Sequence, residues 1–173
     1  MKFREIRIRI RKESAFLNPV ILGISTGVAI LFGALFTTSF VGRIPGFLLP
    51  RTALPSFVHI LFQLMAYAVL GAAFAALLNS PLCNPSDRLR MQKKCGLLLL
   101  VCTLVLCYVW IPLVCKAGSY FLGALLCGVI IIALTALFFI SCRISVISAG
   151  LLVLFAMWML YILYITLSFL LFC

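Results

Sequence analysis

Five long apolar stretches, separated by short polar or turn-forming segments, set the pattern of the sequence. Their approximate bounds are 16–41, 56–78, 95–114, 120–140 and 146–172. About 20 apolar residues at roughly 1.5 Å per residue cross the ~30 Å hydrocarbon core of a bilayer, so each stretch is long enough for a transmembrane helix. The pattern predicts an all-α membrane protein, a five-transmembrane-helix bundle. A basic N-terminal segment at 1–15 precedes this membrane domain, which occupies 16–173.

The second stretch carries a polar stripe. Its polar residues recur at steps of three, four and four, which places them on one helical face. They are Ser56, His59, Gln63 and Tyr67. Because polar side chains that face lipid cost free energy, we expect this face to meet protein, water or a ligand. Two later stretches also have aromatic and weakly polar residues on one face: Thr103, Cys107 and Trp110 in the third, and Trp158, Tyr161 and Ile165 in the fifth.

Several short features predict helix ends and helix contacts. Asn18 followed by Pro19 is typical of a helix start. Gly23 and Gly27 form a G-x-x-x-G, which permits close contact between helices. The connection at 42–55 contains three prolines and two glycines, so it is not a continuous helix, and we expect it to fold back over the mouth of the bundle. Further connections are expected at 79–94, 115–119 and 141–145.

Composition agrees with the membrane assignment and excludes other classes. Of the 173 residues, 66% are hydrophobic and 10% are charged, against about 25% charged in soluble domains. The net charge of +11 does not indicate nucleic-acid binding, since no soluble domain remains to carry it. Eleven of the 14 basic residues lie on one side of the predicted bundle. This asymmetry predicts a multi-pass integral protein with a cytoplasmic N-terminus if the host is a bacterial plasma membrane.

The basic N-terminal segment leaves two alternatives open. From Glu5 onward, apolar and charged residues alternate as far as Ile10, which suits an interfacial segment lying on anionic lipid. A disordered basic tail is the other interpretation. A cleavable signal peptide is not expected, because the apolar run after the segment continues past Val28 without a small-residue cleavage site.

Catalytic and metal-binding chemistry finds little support in the sequence. The acidic residues are Glu5, Glu13 and Asp87, and none lies within an apolar stretch, so paired-carboxylate catalysis and carboxylate proton relays are not expected. The eight cysteines form no C-x-x-C, and no metal site or required cofactor is predicted. For His59, a polar residue satisfied by a neighbour such as Gln63 is favoured over a ligand of a metal or haem iron.

Motifs in four of the five stretches occur in an order that resembles a known family. They are Gly33-Ala-Leu-Phe-Thr37; Pro50, Pro55, Val58, Tyr67 and Gly71; Leu106-Cys-Tyr-Val-Trp110 with Pro112; and Ala149, Leu151, Leu152, Trp158 and Tyr161. This set is similar to the translocator protein family, also called the tryptophan-rich sensory protein or peripheral benzodiazepine receptor family. The chain departs from that pattern at positions where the family carries tryptophan, tyrosine or asparagine: Arg43, Ile44, Phe57, Gln63, Cys107 and Thr166.

The resemblance implies a five-helix bundle, often a homodimer, with a pocket under the first connection. It implies a membrane receptor or carrier for a porphyrin, haem or another tetrapyrrole, or for a sterol or other lipid-like molecule. A porphyrin-degrading membrane enzyme and a ligand-free structural subunit are the alternatives, and the loss of tryptophans disfavours the enzyme. By position, the implied pocket residues are Phe57, His59, Ile60, Gln63, Tyr67, Cys107, Trp110, Trp158, Tyr161, Ile162 and Ile165.

Overall fold

The computed structural model describes residues 10, 13–15, 17–40, 55–81, 87–115 and 117–172. Five helices account for nearly all of these residues, and no strand occurs among them. Each helix is long and apolar enough to cross a membrane, as the sequence predicts. The helices are α1 (Pro19–Phe40), α2 (Ser56–Asn79), α3 (Asp87–Cys115), α4 (Tyr120–Ile144) and α5 (Val146–Phe172).

The helices form a ring in the order α1, α2, α5, α4 and α3, with α3 returning to contact α1. We call the end where α1, α3 and α5 begin the amino end, and the end where α2 and α4 begin the carboxyl end. Outward positions remain apolar, for example Ile132 at 72% exposed and Leu171 at 78% exposed. Because lipid rather than water solvates such faces, the chain is an integral, multi-pass membrane protein.

Local sequence explains where several helices begin and end. The Asn18 side-chain oxygen accepts a hydrogen bond of 2.9 Å from the Val20 N–H, which caps α1 as the Asn18-Pro19 pair predicts. Gly118 adopts φ 63° in the turn between α3 and α4, a conformation that glycine tolerates best. Ser145 alone separates α4 from α5, and its hydroxyl accepts a bond of 3.1 Å from the Ser148 N–H.

Two helix bounds differ from the sequence-based ones. Helix α3 begins at Asp87 rather than near residue 95, so the second half of the connection expected at 79–94 is helical. Helix α4 likewise continues to Ile144 through most of the turn expected at 141–145. The sequence-based bounds rest on hydropathy, so they end at the charged residues. The helices continue because Arg, Lys, Met and Gln are good helix formers and Asp87 suits a first turn.

Close contact between helices depends on glycines other than the predicted pair. A Cβ at Gly23 or Gly27 would meet nothing within 4 Å, so this G-x-x-x-G makes no close contact between helices within the described chain. Instead, a Cβ at Gly71 would lie 2.6 Å from the Ser25 backbone oxygen, and one at Gly33 would overlap the Tyr67 ring. Helices α1 and α2 therefore approach through Gly33 and Gly71.

A polar network at the amino end joins distant parts of the chain. Glu13 is buried, and its carboxylate accepts bonds from the Ser145 hydroxyl (3.0 Å) and from the backbone N–H groups of Val146 and Ile147 (3.2 Å each). This carboxylate satisfies donors at the start of α5 that have no intrahelical acceptor. Residues 1–9 and 41–54, which carry most of the basic segment and of the proline-rich connection, lie outside the described residues, so the predictions for them stay predictions.

Candidate functional site

A side-chain hydrogen bond joins α2 to α5 near the carboxyl end. The Trp158 indole N–H donates to the Gln63 side-chain oxygen at 2.7 Å. Gln63 is buried, and it occupies the third turn of α2 on the polar stripe that the sequence predicts. The amide oxygen is therefore satisfied within the bundle, where an unpaired polar group would cost free energy.

Aromatic rings gather around this bond. The His59 ring centroid lies 5.3 Å from that of Trp158 and 6.2 Å from that of Tyr161, and the two α5 rings are 5.1 Å apart. Phe62 stacks on Trp158 with centroids 5.8 Å apart and an interplanar angle of 14°. These distances are typical of favourable aromatic pairs. We call His59, Phe62, Gln63, Trp158 and Tyr161 the α2–α5 cluster.

The His59 imidazole has no hydrogen bond to any described residue. Its backbone N–H donates to the Pro55 carbonyl at 2.9 Å, as an ordinary first-turn helix bond, while its ring contacts are aromatic. The side chain is half-buried. The expected partnership with Gln63 is not made, because the Gln63 oxygen bonds Trp158 instead. The imidazole nitrogens can therefore bond a ligand.

Two further donors are buried in the interior of the bundle, one on α2 a turn beyond Gln63 and one on α3. The Tyr67 hydroxyl and the Trp110 indole N–H have no hydrogen-bond partner among the described residues. Gln63 approaches the Tyr67 hydroxyl and Cys127 approaches the Trp110 indole, but neither contact has hydrogen-bond geometry. Buried donors are normally paired, so each of these two groups is a candidate for bonding an acceptor from outside the chain.

The structure buries or half-buries most of the predicted pocket residues. Cys107, Ile162 and Ile165 are buried on α3 and α5, and Ile60 is half-buried on α2. Phe57 differs, because its side chain is 77% exposed on the first turn of α2. The assignment of these residues to a ligand pocket stays a prediction, and the Ser56 side chain lies outside the described ones.

Tyr108 and Phe62 were missed by the sequence reasoning. Tyr108 lies between α1 and α2, where its hydroxyl donates to the Ala29 carbonyl at 3.0 Å and its ring lies 5.1 Å from that of Tyr67. It stacks on Phe36 with centroids 5.5 Å apart. Tyr108 could have been found from the sequence, because it follows Cys107 in the Leu106–Trp110 motif. Phe62 could not, because it lies beside the polar stripe of α2 rather than on it.

No group of three or more His, Cys, Asp or Glu side chains able to hold a metal ion occurs within the described parts of the chain. Cys107 and Cys127 are both buried near Trp110 and Tyr67, where they pack as small apolar groups. The site consists of aromatic faces, one imidazole and a few neutral donors, a lining that suits a mostly apolar ligand.

Comparison with known proteins identifies a family. The family model described as the TspO/MBR family matches residues 20–171, nearly the whole chain. No curated protein and no solved structure gives a significant match.

Proposed function

The chain belongs to the TspO/MBR family, and from this premise we propose that it is a membrane receptor or carrier for a flat, mostly apolar ligand. Family membership supports a ligand-binding or transport role in a membrane in general. A porphyrin or another tetrapyrrole is the ligand class that we propose first, and a sterol or another lipid-like molecule is the second.

The observation that carries this proposal is the α2–α5 cluster, together with two buried donors that have no partner among the described residues. A tetrapyrrole has a wide flat face for Trp158 and Tyr161 to contact. Its nitrogen atoms and carboxylate groups are acceptors that the Tyr67 hydroxyl and the Trp110 indole N–H lack within the described chain. If the porphyrin carries iron, the unpartnered His59 imidazole is the group that would ligate it.

Tryptophan fluorescence tests the proposal, because the chain has two tryptophans and both are among the residues that we propose to contact the ligand. Trp110→Phe leaves Trp158 as the sole emitter, and Trp158→Phe leaves Trp110. In lipid nanodiscs, titration with protoporphyrin should quench both single-tryptophan proteins, with saturation at one porphyrin per chain. Empty nanodiscs give the partition background.

Three outcomes of this titration separate the alternatives. Saturable quenching in both variants supports a receptor or carrier. Quenching that rises linearly without saturation, as partition into lipid alone predicts, would favour the ligand-free structural subunit. Appearance of a new absorption spectrum on illumination, absent with heat-denatured protein, would instead favour the porphyrin-degrading enzyme.

A further inference from the structure

An apolar groove lies at the amino end, on the side of the bundle away from the α2–α5 cluster. It runs between α1, α2 and α3 and has a volume of about 360 Å³. Ile24, Val28, Phe74, Leu78, Val101 and Leu104 line it, and Ser25 supplies the polar contact. Its size falls within the range of small-ligand sites. Val28 and Val101 remain 47% and 44% exposed, so the described chain leaves the groove open to the membrane.

Basic residues continue the groove-lining face of α3 toward its N-terminus. At about 100° per residue, Arg90 and Lys93 project on the same side of α3 as Leu100 and Leu104. Lys94 follows at the edge of that side, whereas Arg88 projects on the opposite side. The face of α3 that lines the groove is therefore apolar at Leu100 and Leu104 and becomes basic toward the N-terminus of the helix, at Arg90 and Lys93.

Lys93 connects the apolar groove directly to the basic end of α3. Its ammonium group donates to the Leu78 and Ser80 carbonyl oxygens, at 2.8 Å each, and Leu78 lines the groove. A fixed cation thus lies at the amino end of the groove, with Arg90 and Lys94 exposed beside it. Two carboxylates are described at this end: Asp87 is exposed in the first turn of α3, and Glu13 is bonded to Ser145 and to the start of α5. The three cations therefore outnumber the carboxylates.

We propose that this groove binds one anionic phospholipid, with an acyl chain between α1, α2 and α3 and its phosphate beside Arg90, Lys93 and Lys94. Bulk lipid tails are as apolar as the groove, so burial of an acyl chain supplies little selectivity. The headgroup supplies it, since each basic residue near an anionic headgroup strengthens binding roughly fivefold. A second copy of the chain is the competing occupant. Its Arg90, Lys93 and Lys94 would then lie close to the same three cations of the first copy, and like charges repel.

Native mass spectrometry with an equimolar mixture of phosphatidylglycerol and phosphatidylcholine of identical acyl chains tests the proposal. The wild-type protein should retain one phosphatidylglycerol in preference to phosphatidylcholine. The double variant R90Q/K94Q should lose this preference by an order of magnitude or more, whereas R88Q, which removes a charge from the opposite side, should retain it. Lys93 is left unchanged because it also caps α2.

Groove-filling variants test the acyl-chain part. Val101→Trp, and independently Val28→Trp on α1, should abolish lipid retention, while Val105→Trp, an exposed α3 position outside the groove lining, should not. The proposal is overturned by any of three results: wild type without headgroup preference, equal losses in R88Q and R90Q/K94Q, or a lipid-free dimer that the groove-filling variants dissociate. None of these three results bears on porphyrin binding at the carboxyl end. The lipid proposal and the porphyrin proposal can therefore fail independently.

Discussion

The bond between Trp158 and Gln63 shows how single side chains specify this bundle. In a membrane, apolar packing between helices has little selectivity over packing against lipid, so hydrogen bonds and close contacts decide which helices pair. The 2.7 Å bond lies among aromatic rings that pack around the Trp158 indole. The pair therefore fixes the orientation of the Trp158 indole as well as the contact between α2 and α5.

Gln63→Leu should lower the free energy of unfolding by about 1–2 kcal/mol, because it leaves the Trp158 N–H unpaired in an apolar interior. The measurement is unfolding in mixed detergent micelles by added denaturing detergent. Trp158→Phe and the double variant complete a cycle, and a coupling of about 1 kcal/mol is expected. Additive effects of the two substitutions would contradict the contribution assigned to this bond.

At the scale of helices, α1 and α2 approach through Gly71, which lies against the α1 backbone at Ser25 and Thr26. Backbone atoms cannot move aside as a flexible side chain can, so this position admits no added methyl group without separating the helices. Gly27 on α1 has open space around it, although the G-x-x-x-G pattern indicates the opposite.

Gly71→Ala should destabilise the protein by about 1–3 kcal/mol through this clash. Gly27→Ala should be neutral or stabilising by up to about 1 kcal/mol, since alanine favours a helix and meets nothing. Thermal unfolding of the two variants in the same detergent gives the comparison. Equal effects of the two substitutions would show that the α1–α2 contact is not close at Gly71.

Helix α5 depends on a residue far away in the sequence. Glu13 caps its first turn, and no neighbour of Val146 in the sequence supplies a carboxylate there. The contact ties the start of the chain to the turn between α4 and α5.

Glu13→Ala should cost about 1–2 kcal/mol of stability and speed hydrogen exchange at the Val146 and Ile147 amides. Asp87→Ala is the matched control, because Asp87 also lies at a helix start but is exposed. Its effect should stay below about 0.5 kcal/mol. Unchanged exchange at the two α5 amides in Glu13→Ala would contradict the capping role.

At the scale of the whole molecule, the five spans and the α-helical class follow from hydropathy, since a bilayer admits few alternatives to spanning helices. The polar stripe on α2 also follows, because its period identifies the face of Gln63 and Tyr67. The partners of these residues could not be predicted in the same way. Trp158 lies 95 residues after Gln63, and its bond depends on the ring order of the helices, which periodicity does not determine.

The Glu13 cap and the glycine contacts fall outside sequence reasoning for a similar physical reason. Both depend on backbone positions in other helices. The local sequence instead indicates a turn at 141–145, and it indicates Gly23 and Gly27 as the contact glycines. The resemblance stated from ordered motifs was confirmed by the family match over residues 20–171, and it gives a fold and a class of function rather than a ligand.

The affinity for protoporphyrin of three proteins in lipid nanodiscs tests the central claim, that the interior beside the α2–α5 cluster binds a flat ligand. Wild type is compared with Trp158→Ala and with Met157→Ala, an adjacent α5 substitution at a position 66% exposed to the outside. The shift of the porphyrin absorption band reports the Kd without relying on tryptophan. Loss of the indole face should weaken binding about tenfold or more, and Met157→Ala should bind as wild type does. Equal Kd values for all three proteins would mean that the porphyrin lies elsewhere.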